Sequence, residues 1–358
     1  MSEQGESYRG MRVLVIMAAL AVIIWGIYKA QVILVWLLVS VFLAVIGTPP
    51  LLWLERKRVP SAIAVLLVVG ALVGILLIVG ALVGTSINSF SSALPLYRAR
   101  LQEHFISLKE FLQKKEIEIP DEFLLSHVNP SAFMNLTASL LTGLSSVLSN
   151  IVLILLTVTF ILLESSSFPI KLRAIPGGPR MTFAQFSTFV DSMRRYMAIQ
   201  TAVSLTTGIL IGIWLAILGV DFPILWGLLA FLLNYIPNLG SIIAAIPAVL
   251  LAFIQFGIGR AALAATGYIA INFILGNVIQ PKLMGRGLGL STLVVFLSLM
   301  FWGSLLGLVG MILSIPITMT IKMALQRNES TKWIAVLLGP EQSPEDITTP
   351  QTTSDKQE

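Results

Sequence analysis

Long apolar stretches at about 11–28, 31–53, 61–84, 148–164, 199–219, 222–236, 241–256, 261–280 and 289–321 alternate with short groups of charged and helix-breaking residues. A helix crossing a bilayer needs roughly 20 apolar residues, so most of these stretches predict membrane spans. Three do not fit one crossing each. The pieces 222–236 and 241–256 are short, and only Pro237-Asn-Leu-Gly240 separates them, which predicts the two arms of a re-entrant hairpin. The stretch 289–321 is long, with Gly303, Gly307 and Gly310 near its middle; it fits either a second hairpin or one tilted and kinked helix. The fold class is therefore an all-α polytopic membrane protein of about eight transmembrane segments, two re-entrant hairpins included.

Charge placement bears on the hairpins. With Arg9 and Arg12 in the cytoplasm, Arg56-Lys57-Arg58 and then Lys171, Arg173, Arg180, Arg194 and Arg195 fall on the same side, as the positive-inside rule requires. Two hairpins also bring Lys282, Arg286, Lys322, Arg327, Lys332 and Lys356 there, leaving Lys29, Arg260 and the long polar segment outside. Conventional crossings in their place would move Lys282 and Arg286 outside, so the pattern favours hairpins and puts both termini in the cytoplasm.

Composition adds the medium. Of 358 residues, 56% are hydrophobic and 11% charged, against roughly 25% charged in a soluble domain, so membrane lipid surrounds most of the chain. The net charge of +5 resides in small basic groups at span ends, which are topology signals and predict no nucleic-acid partner. No cleavage site of small residues follows the first apolar run, which therefore reads as a retained span. With no cysteine, disulfides, thiolate metal sites and cysteine nucleophiles are excluded, and the redox compartment is left open.

The chain divides into N-terminal membrane helices at 1–84, an extramembrane amphipathic insert at 85–147, a C-terminal membrane transport region at 148–336 and a tail at 337–358. In the insert, Leu94, Tyr97, Leu101, Phe105, Leu108 and Leu112 recur at helical spacing. That face needs a partner, either its own subunit or a second copy. Pro120 and Pro130 break the segment, and a second helix is expected from about Ser131. The tail is rich in Pro, Ser, Thr and Gln and is expected to be disordered.

Catalysis finds no footing. His104 and His127 lack metal-ligand spacing, and no Gly-Lys pair exists to build a phosphate loop for ATP. No enzyme, metal or cofactor is expected. Chemistry concentrates in neutral polar residues within the apolar stretches: Gln200, Asn234, Asn238, Ser241, Asn272, Asn277 and Gln280. Side-chain amides donate and accept together, which suits a small polyhydroxylated solute, and broken helices expose backbone groups to it. Asn234, Asn238, Ser241, Asn277 and Gln280 are the expected solute contacts; Pro237, Gly240, Pro281 and Gly285 shape the breaks. The alternative for each amide is a helix-to-helix hydrogen bond. Glu164 and Asp221 are the carboxylates to consider for cation coupling, but both stand at span ends, where interfacial placement is the simpler account. Gly208 and Gly212 form a close-packing pair, and Pro247 and Pro316 favour kinks.

The sequence Asn234-Tyr-Ile-Pro237 with Gly240 and Pro247, the run Asn277-x-x-Gln280-Pro281-Lys282-x-Met284-Gly285-Arg286, Gly289-Leu-Ser291, and the series Trp302-Gly303, Gly307, Gly310 and Pro316 together resemble the autoinducer-2 exporter family of bacterial permease-like membrane proteins. Weaker resemblance covers about 1–336. It implies an inner-membrane transporter that releases a small polar quorum-sensing signal, a homo-oligomer of the pentameric kind, and hairpins moving against a fixed scaffold. The family also implies a sodium/proton antiporter as an alternative. A third possibility, read from the insert, is a non-transporting membrane scaffold that recruits a partner through 88–118.

Overall fold

The computed structural model describes residues 3–113, 150–173, 180–237, 239–284, 289–326 and 330–339. Asn238, Gly285, Arg286, His127, the second insert helix and the tail beyond 339 lie outside the described residues, as do the side chains of Leu101, Phe105, Leu108 and Leu112. Two compact units emerge, Met1–Leu283 and Met284–Glu358. Among the described residues every regular element is helical.

The first unit runs α1 (Glu3–Lys29), α2 (Gln31–Arg56), α3 (Ser61–Gln113), α4 (Ile151–Arg173), α5 (Arg180–Ile217), α6 (Pro223–Leu233), α7 (Gly240–Phe256), α8 (Ile258–Asn272), a π-helical stretch (Phe273–Ile279) and α9 (Gln280–Met284). Helices α2, α3 and α4 form a scaffold around Ala44, Leu51, Ala64, Val65, Val68, Ile154, Val158 and Leu162, all buried. Small residues let the backbones close in: a Cβ at Gly47 would stand 3.2 Å from Val68 and 3.6 Å from Leu162. Ser40 Oγ donates to the Ile154 carbonyl at 3.3 Å and ties α2 to α4. The opposite faces carry exposed Leu66, Ile78, Val152 and Phe160, the arrangement expected where lipid is the solvent. Helix α3 continues unbroken through Pro95 to Gln113, well past its apolar portion.

The short pair predicted from Pro237 and Gly240 is a hairpin. Helix α6 has 11 residues and α7 has 17, or ~16 and ~25 Å of rise, both short of a ~30 Å hydrocarbon core. Helix α5 ends on Gly219, at φ 75°, with Val220 N–H donating to the Leu215 carbonyl and Gly219 N–H to that of Ala216, a Schellman stop that needs a left-handed residue. Pro223 then opens α6, its missing N–H costing nothing at a helix start. Helices α5 and α6 meet where Gly208 faces Gly227, each hypothetical Cβ lying 2.6 Å from the other's carbonyl oxygen. The G-x-x-x-G pair therefore serves close packing.

The second unit settles the ambiguity at 289–321. By length, α10 (Thr292–Gln326) would cross the membrane once, but Gly307 sits at φ 65°, ψ −147° inside it. Ser298 Oγ donates to the Ser314 carbonyl at 3.1 Å and Trp302 Nε1 to Thr318 Oγ1 at 3.2 Å, while the Ser298 and Thr318 hydroxyls also bond. Residues sixteen apart in a straight helix would be ~24 Å distant. The chain has folded back at Gly307 into arms 292–306 and 308–326. Gly310 lets the arms touch, since a Cβ there would lie 2.0 Å from the Trp302 carbonyl oxygen. A short α11 (Lys332–Leu337) packs on α10, with Ser291 N–H donating to the Leu338 carbonyl at 3.1 Å.

Candidate functional site

Where α6 stops, its last carbonyls lose their intrahelical partners. Gln200, on α5 and only 4% exposed, takes one of them: its Nε2 donates to the Asn234 backbone carbonyl at 2.8 Å. Its Oε1 in turn accepts from Gln280 Nε2 at 2.9 Å. Asn234 Nδ2 donates to Ser204 Oγ at 3.0 Å, and Tyr235 OH donates to Thr201 Oγ1 at 2.8 Å. The Tyr235 ring meets Phe42 of α2 edge-on at 5.4 Å and Phe231 at 5.9 Å. Three separate elements, α5, the hairpin tip and α9, are thus joined through one buried amide. No member carries charge.

Gly240 makes the tip possible. A Cβ there would stand 1.7 Å from the Leu233 carbonyl oxygen and 2.6 Å from its carbon, so α7 starts directly against the end of α6. Ser241 is half-buried in the first turn of α7, and Pro237 is half-buried in the break.

The expected contacts divide accordingly. Asn234 and Gln280 come together through Gln200, whereas Asn277 is exposed on the π-helical stretch and Pro281 is exposed on α9. In an α-helix Asn277 and Gln280 would share a face. Here Gln280 N–H donates to Leu275 five residues back, and the wider turn rotates Asn277 away; such π segments recur at functional sites. Asn272 bonds back to its own helix, Nδ2 to the Tyr268 carbonyl at 2.8 Å. Gln200 belonged to the polar set but not to the expected contacts, and it is the hub. Ser204 and Thr201 gave no signal in sequence, because helical Ser and Thr ordinarily satisfy themselves on their own carbonyls, and Tyr235 entered only as part of the Asn234-Tyr-Ile-Pro237 motif.

Asp221 is exposed but engaged. Its Oδ2 accepts from Tyr97 OH at 2.7 Å and from Gln255 Nε2, while its N–H donates to Gln255 Oε1 at 3.1 Å. Its carbonyl accepts from Trp226 Nε1 at 2.9 Å. Burial and the neighbouring carboxylate both hold the Tyr97 phenol above its usual pKa. Phe90 packs edge-on against Phe222 and Trp226 at 6.1 and 6.4 Å. Nearby, Arg260 Nη1 donates to the Leu218 carbonyl at 3.1 Å and its guanidinium lies 4.1 Å from the centre of the Phe256 ring. Glu164 is exposed on α4. Among the described residues no group of three or more acids and histidines is placed to hold a metal ion.

Helices long and apolar enough to span, a hairpin whose arms are each too short to cross and a neutral polar tip fit a polytopic membrane transporter, in which irregular backbone persists only where protein or a cavity satisfies it. The model of the AI-2E family transporter matches residues 14–329. The chain belongs to this family, as the motifs around Asn234 and Asn277 predicted. Among its relatives, the AI-2 transport protein TqsA of Escherichia coli (strain K12) is 41% identical over 329 residues, covering 92% of this chain and 96% of TqsA. A putative transport protein of Haemophilus influenzae is 37% identical over 334 residues, covering 92% and 96%. The putative transport protein YhhT of Escherichia coli (strain K12) is 35% identical over 331 residues, covering 92% and 95%. The protein is a multi-pass bacterial membrane transporter.

Proposed function

We propose that the protein exports autoinducer-2, or a similar small polar metabolite, across the bacterial inner membrane. The observation that carries this is the uncharged Gln200, Asn234 and Gln280 network at the tip of the first hairpin, where hydrogen-bonding capacity without charge suits a neutral polyhydroxylated solute. The name of the 41% identical relative points to the same solute. Solute contacts are Asn234, Asn238, Ser241, Asn277 and Gln280, and the first hairpin moves against the α2, α3 and α4 scaffold to give alternating access.

The side-chain contacts support the orientation with both termini in the cytoplasm. Tyr97, Asp221, Gln255 and Arg260 gather at one end of the first unit, and charge placement puts all four outside. A homo-oligomer, a pentamer, accords with the family resemblance. Sodium/proton antiport requires a carboxylate held within the span. Asp221 instead fastens the α5–α6 turn to α3 and α7, and Glu164 is exposed, so export of a neutral solute is the better account.

Efflux of labelled autoinducer-2 from proteoliposomes tests this. Protein-dependent flux should fall at least about tenfold in Asn234→Ala/Asn277→Ala, the equivalent of one lost hydrogen bond in the membrane interior, and an imposed proton gradient should leave it unchanged. No flux above empty liposomes from folded protein would sink the proposal.

A further inference from the structure

Helix α3 belongs to two packing groups. Near its start Ala64, Val65 and Val68 enter the scaffold core with α2 and α4. Farther along the same continuous helix, Val83, Phe90 and Tyr97 stand seven residues apart, each 5% exposed or less, and form a buried stripe. There α3 packs on α6 and α7, the arms of the first hairpin. Phe90 meets Phe222 and Trp226 edge-on, and Tyr97 OH donates to Asp221 Oδ2 at 2.7 Å. Tyr97, from the apolar face of the insert, thus finds its partner on its own subunit. One helix bridges the scaffold and the hairpin, the two parts whose relative motion gives alternating access.

The turn that α3 grips is strained. Phe222 has φ 58°, a left-handed conformation that a residue with a Cβ keeps only where its surroundings hold it. The bonds that hold it are of two kinds. Gln255 on α7 pairs with the Asp221 carboxylate and N–H, and Trp226 Nε1 on α6 donates to the Asp221 carbonyl. These lie within the hairpin and travel with it. The Phe90 and Tyr97 contacts cross from α3 and do not. Asp221 is exposed, so water replaces the phenol once it leaves and the net cost of release is small.

We propose that Phe90 and Tyr97 of α3 and the turn at Asp221 and Phe222 form a releasable latch, which holds the first hairpin against α3 in one transport state and must open for the other. The proposal rests on the alternating access described above and names the contact that limits it.

Because the chain has no cysteine, Tyr97→Cys/Asp221→Cys carries a unique reactive pair that a bifunctional methanethiosulfonate reagent joins reversibly. In proteoliposomes, cross-linking should cut efflux of labelled autoinducer-2 at least about tenfold, as expected when a required conformational step is blocked, and reduction should restore it. Each single-cysteine variant treated in the same way should keep the flux it had before treatment. Tyr97 and Gln255 donate to the same carboxylate oxygen, so Tyr97→Cys/Gln255→Cys is a second pair that joins α3 to α7 and leaves Asp221 in place, should the first fail to fold. Undiminished flux from protein shown by mass spectrometry to be linked within one chain overturns the latch. Absence of flux from untreated wild-type protein would instead overturn the export function, so the two failures are distinguishable.

Discussion

Gly240→Ala should be the most damaging single-atom-scale change in the first hairpin. The added Cβ meets the Leu233 carbonyl oxygen at 1.7 Å and its carbon at 2.6 Å, and both belong to backbone that is held at the end of α6. No rotamer change relieves that contact, so α6 and α7 must separate and the Gln200 bond to Asn234 must stretch. A loss of about 3 kcal/mol or more is expected, in the range of severe core disruptions, seen as a fall in melting temperature of about 4 °C or more for a chain of this length. Gly74→Ala on α3, where a Cβ meets nothing within 4 Å, is the matched comparison and should be neutral or slightly stabilising, since alanine is the better helix former. Equal melting temperatures for the two variants would show that the hairpin tip is not closed as described.

Gln200→Leu should abolish transport more thoroughly than loss of any single predicted contact. It removes the donor to the Asn234 carbonyl and the acceptor for Gln280 in one step. Each partner left unpaired in a low-dielectric site costs about 1–3 kcal/mol, although other groups in a membrane interior recover part of that. Flux should fall on the order of 100-fold, the equivalent of about two such bonds. A double variant, Gln200→Leu/Gln280→Leu, sharpens the test because the two residues share a hydrogen bond. Its loss of stability should be clearly less than the sum of the two single losses. Strict additivity would mean that the two amides do not interact in the working protein.

Much of the fold was legible because membrane solvation leaves few choices. Apolar length gave the spans, and basic residues at their ends favoured hairpins over full crossings. The proline and glycine between 236 and 241 located the first break. Gly303, Gly307 and Gly310 flagged the second, but three glycines within eight positions do not announce which one turns the chain. That was decided by tertiary contact: Gly307 takes the positive φ, while Gly310 is needed for the approach to Trp302. The candidate site was legible in its chemistry more than in its geometry. Asn234 and Gln280 are joined through Gln200, which stood in the polar set but not among the expected contacts. Asn277 stood out by its motif, and only the π-helical stretch, which sequence periodicity does not reveal, turns it away. The Tyr97 contact with Asp221 spans more than a hundred residues and leaves no local trace.

The reversal at Gly307 has a practical consequence for labelling. Because the arms of α10 return to where they began, Ser291 and Leu338 are hydrogen-bonded neighbours, and Lys322 Nζ reaches the Gly289 carbonyl. The chain contains no cysteine, so single cysteines introduced at Ser291 and at Ser330 would each report one position without background. A membrane-impermeant maleimide applied to intact cells should treat both alike, protecting or modifying the pair together, whereas a single crossing by 292–326 would split them between compartments.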